Sequence, residues 1–479
     1  MPHARGWKGR GRAPRWREMP ARIAVIAAAF MCAAAPASAQ TLTEAFAYAY
    51  ENNPQLLAQR AALRATDESV PQALANWRPT VNFTASAGYG RAGFEVPNGF
   101  TGASTPTVFS NVISRSMDLR VTQPIYRGGR TEAQTRQAIN TVQAARAQTM
   151  ETETTVFQAV ATAYLDVVRD QTLVEVARNN ESVLKKQLEA TRDRFRVGEV
   201  TRTDVAQAEA SMAQSTAQRI SAEGNLAVSR ANYTRVVGHP PGRLMLPRER
   251  PVLPATRDEA LTLASGDNFN VIAASFAELA ARDNIDVIRG QLLPQISIVG
   301  DLSRAFSPSV TLRNSRLDEA SVLAQLTMPL YEGGAIYSQT RQAEQTVGQR
   351  RSQADDARRA AVQAAAQNWE TLQAARAAIA SYGSAVKAAQ IALQGTEEEA
   401  LVGSRTVLDV LIAEQTLFTT QSQLVTAEHD AALAEFNIAA ADGRLIAPEL
   451  KLPVKLYDMD RHYKKVKDKW LGFGGGLKE

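Results

Sequence analysis

Cysteine is nearly absent from this chain. Cys32 is the only one in 479 residues, so a disulfide framework and a cysteine-ligated metal site are both excluded. Histidine is almost as scarce: after His3 come only His239, His429 and His462. None pairs with another at metal-ligand spacing, and no zinc-protease, phosphate-loop or nucleophile-elbow pattern occurs. The sequence therefore predicts no enzyme, no cofactor and no metal. An apolar run long enough to cross a bilayer as a helix, about 20 residues, is missing too. Proline and glycine are missing from residues 130–197. If helical throughout, that stretch is ~100 Å long, and globular helices rarely reach half of that.

What is present begins with a basic leader. Residues 1–39 hold Arg5, Lys8, Arg10, Arg12, Arg15, Arg17 and Arg22 against Glu18, then an apolar run at 23–35 and Ala37-Ser38-Ala39. Such an order predicts a secretory signal cleaved before Gln40. The leader carries the basic excess of the whole chain, whose formal net charge is +5. Without it the balance is slightly acidic, so the charge is no argument for nucleic acid. Cys32 leaves with the leader.

The remainder is written twice. Gln134-Thr135-Arg136-Gln137-Ala138 returns as Gln339-Thr340-Arg341-Gln342-Ala343. Pro124-Ile125-Tyr126-Arg127-Gly128-Gly129 returns as Pro329-Leu330-Tyr331-Glu332-Gly333-Gly334. Val197-Gly198, Thr201 and Asp204-Val205 return as Val402-Gly403, Thr406 and Asp409-Val410. An internal duplication predicts a pseudo-symmetric object. The expected divisions are 1–39 (signal), 40–245 (first repeat), 246–445 (second repeat) and 446–479 (a basic, flexible tail).

Each repeat changes period in the same order. A helical stretch ends at Pro79 or Pro294, and alternation of period two follows. Val81, Phe83, Ala85, Ala87 and Tyr89 alternate with Thr80, Asn82, Thr84, Ser86 and Gly88. Met117, Leu119 and Val121 form a second apolar row, Ile296, Ile298 and Leu302 a third, and Ala320, Val322, Ala324, Leu326 and Met328 a fourth. The spacing predicts four strands of about 10–13 residues, the length of a tilted strand crossing a bilayer. Surface loops are expected at 93–106 and 307–318. Tyr89, Phe94, Tyr126, Phe306 and Tyr331 lie near the strand ends, as in an interfacial aromatic belt.

The helical period then returns. Val156, Val160, Ala163 and Val167 follow 4-3-4 steps. Leu408, Leu411, Phe418, Val425, Ala432 and Phe436 occupy a coiled-coil seam, diluted by Gln415, Ser422 and His429. Gly198 and Gly403 mark tight helix-hairpin turns. Four amphipathic strands cannot close a barrel, and an open edge in lipid leaves backbone groups unpaired. A membrane-embedded chain must therefore associate with copies of itself. A soluble periplasmic coiled-coil adaptor is the alternative, disfavoured by strands of bilayer length.

The element order, the duplication, the Pro-x-Tyr-x-Gly-Gly joints and the Val-Gly-x-x-Thr-x-x-Asp-Val turns together resemble the TolC-type outer-membrane efflux family over roughly residues 41–445. The resemblance implies a mainly α protein with membrane β. Three chains, four strands each, share one twelve-stranded outer-membrane barrel, continued by a long periplasmic α-helical coiled-coil barrel. It further implies a homotrimer docked to a periplasmic adaptor and an inner-membrane ABC or proton-driven transporter, exporting either secreted proteins or small compounds. Finally it implies a periplasmic gate at the helix turns. Asp409 matches an aspartate ringing the constriction, Arg405 an arginine tying the inner hairpin to its neighbours, and Thr203 and Asp204 their partners. Ile412 stands where the family has a second acidic ring, and Ala400 where it has a linking tyrosine. A local reading of Asp204 and Asp409 is simpler: carboxylates favourable at a helix N-terminus.

Overall fold

The computed structural model describes residues 40–94, 108–247, 249–308 and 314–473. The expected leader and the greater part of the first loop lie outside these residues.

Three short helices open the described chain: α1 (Leu42–Asn52), α2 (Pro54–Asp67) and α3 (Ser69–Ala75). Asn53-Pro54 restarts the helix: the Asn53 side chain accepts from the Gln55 N–H, and proline sits at the first helical position, where its missing N–H costs nothing. Strands β1 (Thr80–Phe94) and β2 (Val108–Arg127) follow, then the long helix α4 (Arg130–Arg196) and the returning helix α5 (Arg202–Val237). The order recurs as α6 (Arg257–Asp267), α7 (Phe269–Arg289), β3 (Gln295–Phe306), β4 (Arg316–Thr327), α8 (Ala335–Leu401) and α9 (Val407–Ala441). A last helix, α10, spans Met459–Val466. Among the described residues no helix is long and apolar enough to cross a membrane.

The four strands form one antiparallel sheet in the order β1-β2-β3-β4. β3 and β4, at 12 residues each, have the expected length, whereas β1 has 15 and β2 has 20. Apolar alternation underestimates them because pairing continues beyond the apolar rows: Arg91 opposes Asn111 and Ala87 opposes Arg115 in an unbroken ladder. For the same reason Asp318, expected in the second loop, lies inside β4.

The main core forms where α4 crosses α1, α5 and α9. Val156, Phe157, Val160, Tyr164, Leu165 and Val167 of α4 are buried there with Phe46, Tyr50, Tyr233 and Phe436. The Phe46 ring lies 5.1 Å from that of Phe157 and 6.1 Å from that of Phe436, centroid to centroid. Each such side chain contributes about 1.5–3 kcal/mol on full burial. Asn53 and Asn268 lock the two halves alike. Each caps a helix, and each donates its amide to the carboxyl end of a returning helix: Asn53 to the Val236 carbonyl and Asn268 to the Ala441 carbonyl, both at 3.0 Å. The seam expected on α9 holds at Leu411, His429, Ala432 and Phe436, which are buried; Leu408, at the helix start, is exposed because it faces out of the turn.

The flexible tail expected at 446–479 is instead packed as far as Val466 and held beyond it at Lys469 and Trp470 by Arg78; residues 474–479 lie outside the described residues. Leu445, Ala447, Leu452 and Val466 are buried. The Ala447 N–H donates to buried Glu153 at 2.7 Å, the Tyr457 N–H donates to the Tyr50 hydroxyl at 2.8 Å, and Arg60 lies between the Tyr50 and Tyr457 rings. Basic composition suggested a solvated tail, but its spaced apolar residues provide the attachment.

Candidate functional site

Two features present themselves: the paired turns at the far ends of the long helices, and the open sheet.

The turns are built identically. α4 ends with Gly198 at φ +83° and α8 with Gly403 at φ +81°, both in the left-handed region that glycine enters freely. In each, a backward bond closes the helix: Glu199 N–H to the Arg194 carbonyl at 2.9 Å, and Ser404 N–H to the Glu399 carbonyl at 3.0 Å. The next helix starts with a reciprocal cap. The Asp204 N–H donates to Thr201 Oγ1 at 3.3 Å and the Thr201 N–H to Asp204 Oδ2 at 2.8 Å. In the second turn the Asp409 N–H donates to Thr406 Oγ1 at 3.2 Å and the Thr406 N–H to Asp409 Oδ2 at 2.9 Å. Hydrogen bonds from Thr201 hold the Asp204 carboxyl below the usual carboxylate range. Those from Thr406, with Arg405 adding to them, do the same for Asp409. Arg405 Nε donates to Glu399 Oε2 at 2.8 Å, which holds its guanidinium above its ordinary value.

The four residues singled out from the sequence therefore cluster as two pairs, one per turn. Among the described residues, the hydrogen bonds of Asp204, Arg405 and Asp409 stay within their own turns. Thr203 is exposed beside Asp204. The turns are held next to each other by Leu184, Leu188, Ala208, Val407 and Leu411, buried together. One residue near the turns went unnoticed in the sequence. Glu414 of α9 is buried, and burial followed by the charge of Glu397 on α8 raises its carboxyl to about 7. Its signal was its position: a glutamate one step from the seam residue Leu411.

The sheet has two unlike faces. Val81, Phe83, Val121, Leu119, Leu302, Ala320 and Val322 share one by strand register; Asn82, Thr84, Arg120, Asp118, Asp301, Ser303 and Ser321 share the other. On the polar face Arg120 Nε meets Asp301 Oδ2 at 2.7 Å. The apolar face is bare within the chain: Phe83 is 67 % and Val322 81 % exposed. A second ion pair, Arg304–Asp318 at 2.7 Å, lies toward the looped end on the apolar side, where β3 and β4 terminate. The sheet's outer edges, on β1 and β4, have no strand partner among the described residues.

The joints between sheet and helices are the Pro-x-Tyr-x-Gly-Gly repeats. Pro124 stands at a register shift in β2. Gly128, Gly129, Gly333 and Gly334 all have positive φ, between +62° and +81°. Pro329 follows the end of β4.

A buried polar cluster joins α4 to α5 and α9. His429 Nε2 lies 3.1 Å from Asp166, Arg169 pairs with Asp166 and Asp170, and Ser229 donates to Asp170. Burial pulls the His429 imidazole down, but Asp166 and Asp430 outweigh it and hold its pKa above the ordinary value. Among the described residues no group of three metal-binding side chains occurs.

Comparison with known proteins gives this geometry a family. The chain is 34 % identical over 437 residues to the outer membrane efflux protein BepC of Brucella suis, covering 91 % of this chain and 92 % of that one. It is 28 % identical over 414 residues to the outer membrane protein TolC of Vibrio cholerae, covering 85 % and 91 %. The crystal structure of VceC, an outer membrane protein of Vibrio cholerae, superposes with a TM-score of 0.71 at 22 % identity, over 84 % of this chain and 96 % of that one. The family model for outer membrane efflux proteins matches residues 47–239 and 260–444, one segment in each half. The protein is a member of the outer membrane efflux protein family, a channel protein of the outer membrane.

Proposed function

We propose that this chain is one third of a passive export duct. Three copies close a twelve-stranded barrel in the outer membrane, and their α4, α5, α8 and α9 helices continue it as a hollow coiled-coil tunnel into the periplasm. The observation that carries the reading is the sheet: four strands, one bare apolar face, and two edges with no strand partner among the described residues, which in lipid must pair with other copies. A 12-residue strand such as β3 is ~40 Å long and, tilted by about 45°, spans a hydrocarbon core of ~30 Å. The soluble-adaptor alternative leaves this face uncovered.

The tunnel's far end is the gate. Three copies of Asp409 around one axis concentrate negative potential there. Arg405 swaps its Glu399 partner for a neighbouring hairpin's acceptor when the turns converge, with Thr203 and Asp204 as acceptors. A periplasmic adaptor and an inner-membrane transporter dock at this end, and the transporter, not the duct, chooses the cargo. The two halves, 40–245 and 246–445, act as pseudo-equivalent staves of the tunnel.

Crosslinking of detergent-extracted protein tests the assembly. A trimer that conducts ions in planar bilayers supports the duct; a stable monomer that still inserts overturns it.

A further inference from the structure

The last described residues of the chain, 469–473, lie where the sheet begins. Its attachments climb the helices step by step. Ala447 is held by Glu153 of α4, and Asp460 pairs with Arg146, nearly two turns closer to the sheet, at 2.6 Å. The Tyr463 ring lies under the Arg146 guanidinium. At the top, Arg78 donates to the Lys469 carbonyl at 2.7 Å and lies 4.8 Å from the Trp470 ring centroid. Arg78 stands two residues before β1. The segment is thus a strap that brings residues 469–473 to the root of the sheet.

What it delivers there is distinctive. Trp470 is 65 % exposed, Leu471 89 % and Phe473 fully so. Lys467 and Lys469 beside them are exposed, as is Lys464, whose nearest acidic atom, on Asp460, is 3.9 Å away. Leu330 and Tyr331, where β4 leaves the sheet, are also exposed at 90 % and 81 %. Stacking on Arg78 fixes the height of Trp470. An indole with two further apolar side chains and a row of lysines matches the boundary between phospholipid headgroups and acyl chains.

We propose that residues 464–473 are an interfacial anchor. Trp470, Leu471 and Phe473 insert into the periplasm-facing leaflet of the outer membrane, and Lys464, Lys467 and Lys469 lie on anionic phospholipid phosphates. The inference rests on the membrane placement of the sheet. The anchor is held by Arg78 two residues before β1, at the height where that sheet begins, and its cations complement anionic lipid. It fixes the angle at which the tunnel leaves the bilayer, because the strap ties the leaflet to α4.

The test uses the full mature protein in bilayers of phosphatidylcholine with or without phosphatidylglycerol. Emission of Trp470 is read as the difference between the natural protein and Trp470→Phe, with brominated phospholipid or aqueous iodide as quencher. Brominated lipid should quench this emission and iodide should not. Phosphatidylglycerol should deepen the quenching by about twofold, a gain lost when Lys464, Lys467 and Lys469 are replaced by Gln. Quenching by iodide alone overturns the anchor, and so does an unchanged phosphatidylglycerol effect in the lysine variant. Flotation of the same vesicles separates the two readings. Protein that fails to float defeats the membrane sheet itself; protein that floats with Trp470 in water defeats only the anchor.

Discussion

Gly128 and Gly290 touch backbone to backbone. A Cβ on Gly128 would lie 2.4 Å from the Gly290 carbonyl oxygen, and one on Gly290 would lie 2.7 Å from the Gly128 carbonyl oxygen. The first joint is therefore wedged against the 3₁₀ turn (Gly290–Leu292) that precedes β3. Its duplicate Gly333 has open space at the same distance. Gly128→Ala combines a left-handed alanine with a backbone collision and should cost about 2–5 kcal/mol, against about 1–2 kcal/mol for Gly333→Ala. Heat-resistant assembly on gels should be lost in the first variant and kept in the second.

The faces of the sheet give a second comparison. Phe83 pairs with Leu119 on the apolar face, in a row continued by Leu302 and Ala320, and Thr84 pairs with Asp118 on the polar face. Phe83→Arg should destabilise the assembly by about 2–4 kcal/mol. Thr84→Arg should cost far less, beside an aspartate. Equal denaturant midpoints for the two would mean that the faces are not lipid and lumen.

At the turns, Asp409→Asn keeps an acceptor for the Thr406 N–H and removes the charge. Cation preference and multivalent-cation block should fall while thermal stability changes little. Arg405→Ala should raise resting conductance in planar bilayers. Unchanged conductance in the second and unchanged selectivity in the first would move the constriction elsewhere.

Glu414 predicts a pH dependence. Its folded pKa, about 7, lies above the value near 4.5 expected of the unfolded chain. The folded state therefore binds the extra proton, and stability falls as pH rises from about 4.5 to 7. The full loss, on the order of 3 kcal/mol, is in place above pH 7. Glu414→Gln should be more stable than the natural protein at pH 8 and indistinguishable from it at pH 4. An equal pH slope in both would show that Glu414 ionises without penalty.

Much of this was readable in the residues. The Gly-Gly joints, the glycine turns and the 67-residue helices follow from backbone chemistry that repeats with the sequence. The place of Asp204 and Asp409 at helix N-termini was legible from the glycine turns before them, whereas their reciprocal caps with Thr201 and Thr406 are a finding of the structure. The parts missed have in common that they depend on distant partners. Asn53 and Asn268 look like ordinary caps until their second bonds, to Val236 and Ala441, are seen. His429 looked isolated because Asp166 lies on another helix. The strap reads as solvated chain because its lysines are conspicuous while its buried apolar residues are single and spaced, and Glu153 and Arg60, its anchors, lie hundreds of residues away.

The helices α4 and α8 have the same length, 67 residues each. This equality makes the chain intolerant of unmatched insertions and deletions. Four residues added to α8 alone would push its turn about 6 Å beyond the other and rotate it by about 40°. Leu184 and Leu188 would then no longer meet Val407 and Leu411. Moving the turns together would take four residues in each of α4 and α8 and four more in each returning helix, because Tyr233 of α5 and Phe436 of α9 are held in the same core as Phe157 of α4. The reach of the proposed tunnel is thus changeable only by matched edits in all four long helices, the two hairpins being about 205 positions apart, and a designer wishing to fit it to a deeper or shallower periplasm must change both arms of each.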